Sequence, residues 1–138
     1  MFFGKKCGLY VHIPFCSRRC PYCDFAVIVT KRDFQKEYLK ALFDEVESRE
    51  EFNNYVFDSF YIGGGTPSKF EYLQELISGL LEKLNFSDDC EISVEFNPED
   101  LKEDKIAQLT PFKPRISIGA QSLNPSVLKF LARCHRRN

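Results

Sequence analysis

Two hydrophobic periods alternate along the chain. Residues 8–13, Gly8-Leu9-Tyr10-Val11-His12-Ile13, read as a short strand stopped by Pro14. From 33 to about 50 the period turns helical, with Phe34, Tyr38, Leu39, Leu42, Phe43 and Val46 on one face. Residues 57–62 predict a second strand, ended by Gly63-Gly64-Gly65. Leu73, Leu76, Ile77, Leu80, Leu81 and Leu84 then recur every three or four residues, and Ser68 with Glu71 predicts a capping box before them. Residues 91–95 predict a third strand. Asn97-Pro98 predicts the cap and first turn of a helix running to about Leu109. A fourth strand is expected at 115–118. Asn124-Pro125 opens a fourth helix, with Val127, Leu128 and Leu131 expected to face inward.

The predicted order is βαβαβαβα, about one unit per ~35 residues, which implies a parallel sheet with helical crossovers. Four such units cannot close an eight-unit barrel of roughly 250 residues. An open doubly wound sheet and part of a larger barrel both fit. No linker, low-complexity tract or repeat beyond this rhythm is visible. Residues 133–138 supply no strand to finish the fold, so the pattern predicts a chain that stops inside an architecture.

Composition narrows the class. The 138 residues give room for one domain of the common ~100–150-residue size. With 43% hydrophobic and 28% charged residues the expectation is a soluble globular protein rather than a disordered one. A net charge of −1 gives no electrostatic reason to bind nucleic acid. The longest apolar run, residues 25–29, is far short of the ~20 that a transmembrane helix needs. Residues 1–6 lack the features of a secretory signal. Fourteen Phe and six Tyr without any Trp predict a core rich in flat rings. Six Cys with no export signal point to metal or catalytic chemistry in a reducing, cytoplasmic setting.

Three of the six form Cys16-x3-Cys20-x2-Cys23; Cys7, Cys90 and Cys134 stand alone and read as packing. Ligands of parallel α/β folds bind beyond the carboxyl ends of the strands. Beyond the four predicted strands stand, in turn, the Cys16/Cys20/Cys23 loop, Gly63-Gly64-Gly65-Thr66-Pro67, Glu95-Phe96-Asn97-Pro98, and Gly119-Ala120-Gln121-Ser122. This convergence weighs more than any one motif.

Thiolates suit zinc or iron–sulfur clusters. Three Cys on a four-iron cubane leave one iron open to a non-protein ligand. Structural zinc usually takes four protein ligands, so His12 or His135 would have to complete it. Arg18 and Arg19 are expected to lower the thiol pKa and hold an anionic cluster. The triple glycine is either a turn or a ligand shelf. It is neither a P-loop, lacking Gly-Lys-Ser/Thr, nor a dinucleotide fingerprint, since Ser68 stands in place of the third Gly. Glu95, at the end of a buried strand, needs a partner: a ligand's ammonium or ribose hydroxyl, or a lysine of the protein. Gln121 carries the same ambiguity. His12 reads more readily as a structural histidine than as a ligand.

Together these segments resemble radical S-adenosylmethionine (SAM) proteins of the oxygen-independent coproporphyrinogen III oxidase family. The first match runs from Gly8 through Cys16 to Cys20 and Cys23. Tyr61-Ile62-Gly63-Gly64-Gly65-Thr66-Pro67-Ser68, Glu95-Phe96-Asn97-Pro98 and Arg115-Ile116-Ser117-Ile118-Gly119-Ala120-Gln121-Ser122 match the next three motifs. Leu131-Ala132-Arg133-Cys134-His135 resembles a following Leu-Gly-Arg-x-His, with Ala132 for Gly.

The resemblance implies an α/β fold: the parallel (βα)4 portion of an incomplete (βα)6 partial TIM barrel. Residues 1–138 would be the N-terminal part of the core, without the remaining barrel units and C-terminal domain. It implies that Cys16, Cys20 and Cys23 hold a [4Fe–4S] cluster whose open iron chelates SAM. Tyr10 and Tyr22 would flank SAM and the cluster. Gly64, Gly65 and Thr66 would line its amino-acid end, and Glu95, Gln121 and Arg133 would make further SAM contacts. One electron, from a flavodoxin- or ferredoxin-type donor, would cleave SAM to methionine and a 5′-deoxyadenosyl radical.

Phe25, two residues after the third Cys, replaces the further Cys of the true oxidases. Cys23-Asp24-Phe25 is the pattern of the HemW-like branch, regarded as heme chaperones. The implied function is therefore a heme-chaperone role with heme as a further ligand. The alternatives are a true oxidase decarboxylating a porphyrinogen, and an inactive remnant or structural zinc protein. The sites are expected to be intact in sequence, with the isolated piece an inefficient catalyst.

Overall fold

The computed structural model describes residues 4–29 and 32–133. Four strands, β1 (Lys5–Ile13), β2 (Tyr55–Gly64), β3 (Phe86–Phe96) and β4 (Arg115–Ile118), form one sheet. Their order is β1-β2-β3-β4 and every pairing is parallel. Four helices follow the strands in turn: α1 (Gln35–Ser48), α2 (Leu73–Lys83), α3 (Glu103–Leu109) and α4 (Pro125–Phe130). A doubly wound sheet reverses its strand order, whereas a barrel adds each strand beside the last. The consecutive order is that of a barrel segment. With right-handed crossovers it places the helices along one face.

The two faces follow from the period of two. Val11, Ile13, Phe60, Ile62, Ile92, Val94 and Phe96 are buried with Leu73, Leu76, Ile77 and Leu80 of α2 and Leu39 of α1. Rings fill much of this layer. Phe15 and Phe70 stack at 6.1 Å between centroids, and Tyr38 meets both edge-on. The alternate strand positions carry Tyr10, His12, Tyr61, Ser93, Glu95 and Ser117, and the sheet register sets Tyr10 beside Tyr61 and Tyr61 beside Ser93. Cys7 and Cys90 are half-buried against the core, as small apolar fillers would be. Cys134 and His135 lie outside the described residues.

Three local expectations are corrected. Ser68 caps no helix: residues Pro67–Lys69 form a 3₁₀ turn, and α2 begins after Tyr72 with no side-chain cap. The fully buried Ser68 hydroxyl instead donates to Asp100 Oδ2 at 2.6 Å and accepts from the Asn97 amide at 3.2 Å. The single helix expected after Asn97 is two pieces, a 3₁₀ turn Pro98–Asp100 and then α3, because Asp100 is held by Ser68 and Lys69 across the loop. On α4, Leu128 is buried, but Val127 is exposed and Leu131 only half-buried. Asn124 does cap α4, accepting from the Ser126 amide at 2.9 Å.

Ser68→Ala should lower stability by about 1–3 kcal/mol, the cost of stranding a buried carboxylate oxygen and an amide. It should appear as a lower urea midpoint at unchanged slope.

Candidate functional site

The cysteine loop leaves β1 at Pro14 and is stitched closed at its base. The Ile28 amide donates to Pro14 O at 2.7 Å and the Cys16 amide to Ile28 O at 3.1 Å. Phe15, stacked on Phe70, anchors the start of the loop in the core. Between Cys20 and Cys23 the chain turns back on itself, the Cys23 amide donating to Cys20 O at 3.1 Å. His12 braces the loop from below: Nε2 donates to Ala26 O at 2.7 Å, and Nδ1 accepts from the Tyr10 hydroxyl at 2.9 Å. Both ring nitrogens are occupied, so His12 is structural and supplies no ligand nitrogen.

The glycine segment makes close approach to this loop. The Gly65 amide donates to Ile13 O at 2.7 Å. A Cβ on Gly65 would meet Pro14 backbone atoms at 2.8 Å and Cys16 Sγ at 2.9 Å. Gly64 sits at φ +116°, a region side chains avoid, and a Cβ there would meet the His12 ring at 2.8 Å. The buried Thr66 hydroxyl lies 3.3 Å from Cys16 Sγ.

The hydrogen-bond partners of Glu95 within the protein are not the expected lysine. Its carboxylate accepts from the Tyr61 hydroxyl at 2.7 Å and from the Gly64 amide at 3.3 Å, with no lysine among these contacts. The hydrogen bond to Glu95 pushes the Tyr61 phenol up to about 12. A raised folded-state value favours the protonated phenol in the folded protein. That contribution is present below the ordinary value of 10.0 and is lost as pH rises through about 12. The stability difference between wild type and Tyr61→Phe should therefore fade between pH 10 and 12, as read by denaturant titration at each pH.

Arg133 closes the far side. Its Nη2 donates to Asn97 Oδ1 at 3.0 Å and to Gly119 O at 2.7 Å, while Nε is buried without a hydrogen-bond partner. Ala132, which stands where the resembling family has Gly, has φ +53°, the left-handed region that favours Gly. Gln121 is likewise left-handed, at φ +63°.

The lowering expected from Arg18 and Arg19 is corrected at Cys16. Burial pushes the Cys16 thiol up; Cys20 and Cys23 add to this, while Thr66 and Lys69 oppose it. Arg18 is turned to the Ala132 carbonyl and Arg19 to that of Phe25, at 3.5 Å for the latter.

These elements enclose one cleft at the carboxyl ends of the strands, about 210 Å³ in volume. That is below the ~300–1,000 Å³ of a self-contained ligand pocket, so these residues build a wall of a site rather than an enclosure. Cys16, Cys20, Cys23 and Tyr22 line it from the first loop. Gly64, Gly65, Thr66, Glu95 and Gln121 line it from the other three, and Arg133 from beyond α4. Tyr10 is not among the lining residues; it is exposed on the neighbouring strand surface, stacked on Tyr61 at 6.2 Å. Among the described residues no three His, Cys, Asp or Glu side chains converge as on a single metal ion.

A profile of the Radical SAM superfamily matches residues 10–138. The chain belongs to that superfamily. Radical SAM proteins in general carry a [4Fe–4S] cluster and bind SAM. Among curated relatives, the heme chaperone HemW of Lactococcus lactis is 38% identical over 134 residues, covering 95% of this chain and 35% of the relative. HemW of Escherichia coli is 34% identical, covering 93% and 35%. Anaerobilin synthase of Escherichia coli O157:H7 is 35% identical, covering 94% and 30%. The solved structure of coproporphyrinogen III oxidase (HemN) from Escherichia coli superposes with a TM-score of 0.82 at 32% identity, covering 96% of this chain and 32% of that one. The radical SAM chain thus spans about a third of the length of these relatives. Its four βα units match part of the HemN barrel. No helix among the described residues is long and apolar enough to cross a membrane.

Sequence reasoning missed Tyr61, Asn97 and Asp100, which hold Glu95, Arg133 and Ser68 respectively. Tyr61 was within reach: it alternates onto the face of Glu95 one strand away. Asp100 gave no signal, because its contact depends on how two loops cross.

Proposed function

We propose that this chain forms the cluster- and SAM-binding part of a HemW-like protein acting on heme. The carrying observation is the convergence of three thiols, a Gly-rich turn, Glu95 and Arg133 on one cleft. The donor set fits the groups proposed. Three soft thiolates lining one cleft suit an iron–sulfur cluster. Three cysteines leave one iron for an exogenous ligand. A carboxylate and a guanidinium with a buried, unpaired Nε suit a zwitterion such as the amino-acid end of SAM.

In this reading Cys16, Cys20 and Cys23 hold the cluster. Gly64 and Gly65 bring the backbone close to SAM, and Thr66, Glu95, Gln121 and Arg133 orient it. Tyr22 lines the mouth, and Tyr10 acts through its hydrogen bond to His12 and its stack on Tyr61. When bound, the cluster and SAM supply one-electron reductive cleavage of SAM, with electrons from a flavodoxin- or ferredoxin-type donor. The protein excludes water and sets the geometry.

Phe25 supports the heme-chaperone branch over the oxidase. It stands where the oxidases carry a further Cys, and it lines the cleft while 62% exposed. The HemW names of the Lactococcus and Escherichia relatives point the same way. A cytoplasmic setting follows from this assignment.

The test is anaerobic reconstitution followed by incubation with SAM, reductant, heme and coproporphyrinogen III. Heme retained through gel filtration with no porphyrinogen decarboxylation is the expected result. Conversion to protoporphyrinogen IX would make the protein an oxidase, and zinc uptake without iron would end the cluster reading.

A further inference from the structure

We infer that the Thr66 hydroxyl donates a hydrogen bond to the Cys16 sulfur and thereby sets the reduction potential of the cluster. This rests on the proposed ligation by Cys16, and assigns Thr66 a role toward the metal centre besides lining the SAM side of the cleft.

Thr66 Oγ1 lies 3.3 Å from Cys16 Sγ, within hydrogen-bond range for sulfur. In a free thiol either atom can donate. A metal-bound thiolate has no proton, so the hydroxyl must then be the donor and the sulfur the acceptor. Thr66 is buried, which excludes competing water and strengthens the contact.

The geometry is over-determined. On one side the Gly65 amide is tied to Ile13 O at 2.7 Å, and Gly65 lacks the Cβ that would meet Cys16 Sγ at 2.9 Å. On the other side the Thr66 carbonyl accepts from the Lys69 amide at 2.9 Å within the Pro67–Lys69 turn. Ser68, inside that turn, is bound to Asp100 at 2.6 Å. Cys16 is fixed by its own amide bond to Ile28 O at 3.1 Å. These bonds hold the backbones of both residues, so the hydroxyl and the sulfur stay within reach of each other.

Reduction adds one electron to the cluster and raises the negative charge on its thiolate ligands. A donor to a ligand sulfur stabilises the reduced form more than the oxidised form, so it raises the potential. Removing the donor should make the cluster harder to reduce.

The experiment compares wild type, Thr66→Val and Thr66→Ser after anaerobic reconstitution. The cluster is titrated with dithionite and viologen mediators, without SAM, and followed by electron paramagnetic resonance. Thr66→Val keeps shape and loses the hydroxyl; Thr66→Ser keeps the hydroxyl. The valine variant should become about tenfold less favourable to reduce, a shift of about −59 mV for one electron, while the serine variant stays near wild type. A valine variant at the wild-type potential, or a serine variant shifted as far as valine, overturns the inference. So does a valine variant that takes up no iron beside a fully loaded serine variant, which would make Thr66 a loading residue. Wild type that takes up no iron sinks the cluster assignment itself, a different outcome from a loaded cluster with an unmoved potential.

Discussion

Cys20→Ala should leave the reconstituted protein with almost none of the iron and sulfide that wild type holds, while Cys7→Ala keeps the full complement. The two residues differ in place, not in chemistry. Cys7 lies in β1 opposite Phe57 and packs against the core. Cys20 stands in the loop beyond β1 and lines the cleft with Cys16 and Cys23. A cubane held by three thiolates cannot lose one and remain anchored. Losing one half-buried sulfur at Cys7 costs about 1 kcal/mol or less of packing. Iron and acid-labile sulfide assays, with circular dichroism to confirm folding, separate the outcomes. Equal loss from both variants would remove the ligand assignment.

Glu95→Ala should weaken SAM binding by about 10- to 100-fold and leave iron content unchanged. Hydrogen bonds to a charged group contribute about 1.5–3 kcal/mol, and each 1.4 kcal/mol is tenfold in affinity. Tyr61 and the Gly64 amide each donate to one of the two Glu95 oxygens, which holds the carboxylate at the cleft. Glu91 is the control on the same strand: its carboxylate pairs with Arg115 at 3.1 Å and does not line the cleft. Glu91→Ala should bind SAM like wild type. Calorimetry on the loaded protein reads both, and an unchanged affinity in Glu95→Ala would remove it from the SAM site.

The path from sequence to site was short where the signal was local. Strand β4 was readable to the residue, because Arg115-Ile116-Ser117-Ile118 alternates between a Pro and a Gly. The leucine period of α2 was equally plain. The start of β3 was not, since Ser87, Asp88 and Asp89 are poor strand formers. Only Phe86 of this stretch pairs with β2, opposite Phe57, and residues 87–90 fall in the irregularity before the ladder resumes at Glu91 opposite Ser59.

Ser68 shows a different failure. Its spacing to Glu71 is that of a capping box, yet its hydroxyl serves a non-local partner, Asp100, 32 residues on. The same holds for Glu95: its need for a partner could be foreseen from burial, but Tyr61 and Gly64 became its partners only through sheet register. The sequence placed the three cysteines of the loop at one cleft but not the charges around them. Arg18 and Arg19 are adjacent in sequence but turned to carbonyls, and burial governs Cys16 instead.

The β4 side of the sheet carries exposed apolar groups, with Ile118, Leu123 and Phe130 uncovered and Phe130 84% exposed. Such surface favours association of the isolated chain, so reconstitution is best followed at low protein concentration.

Cluster and SAM binding are tested most directly by the electron paramagnetic resonance spectrum of the anaerobically reconstituted, dithionite-reduced protein, recorded with and without SAM. The expected spectrum is that of a reduced [4Fe–4S] cluster, altered when SAM occupies the open iron. A protein that shows no iron signal, or one whose signal is unmoved by saturating SAM, would contradict it.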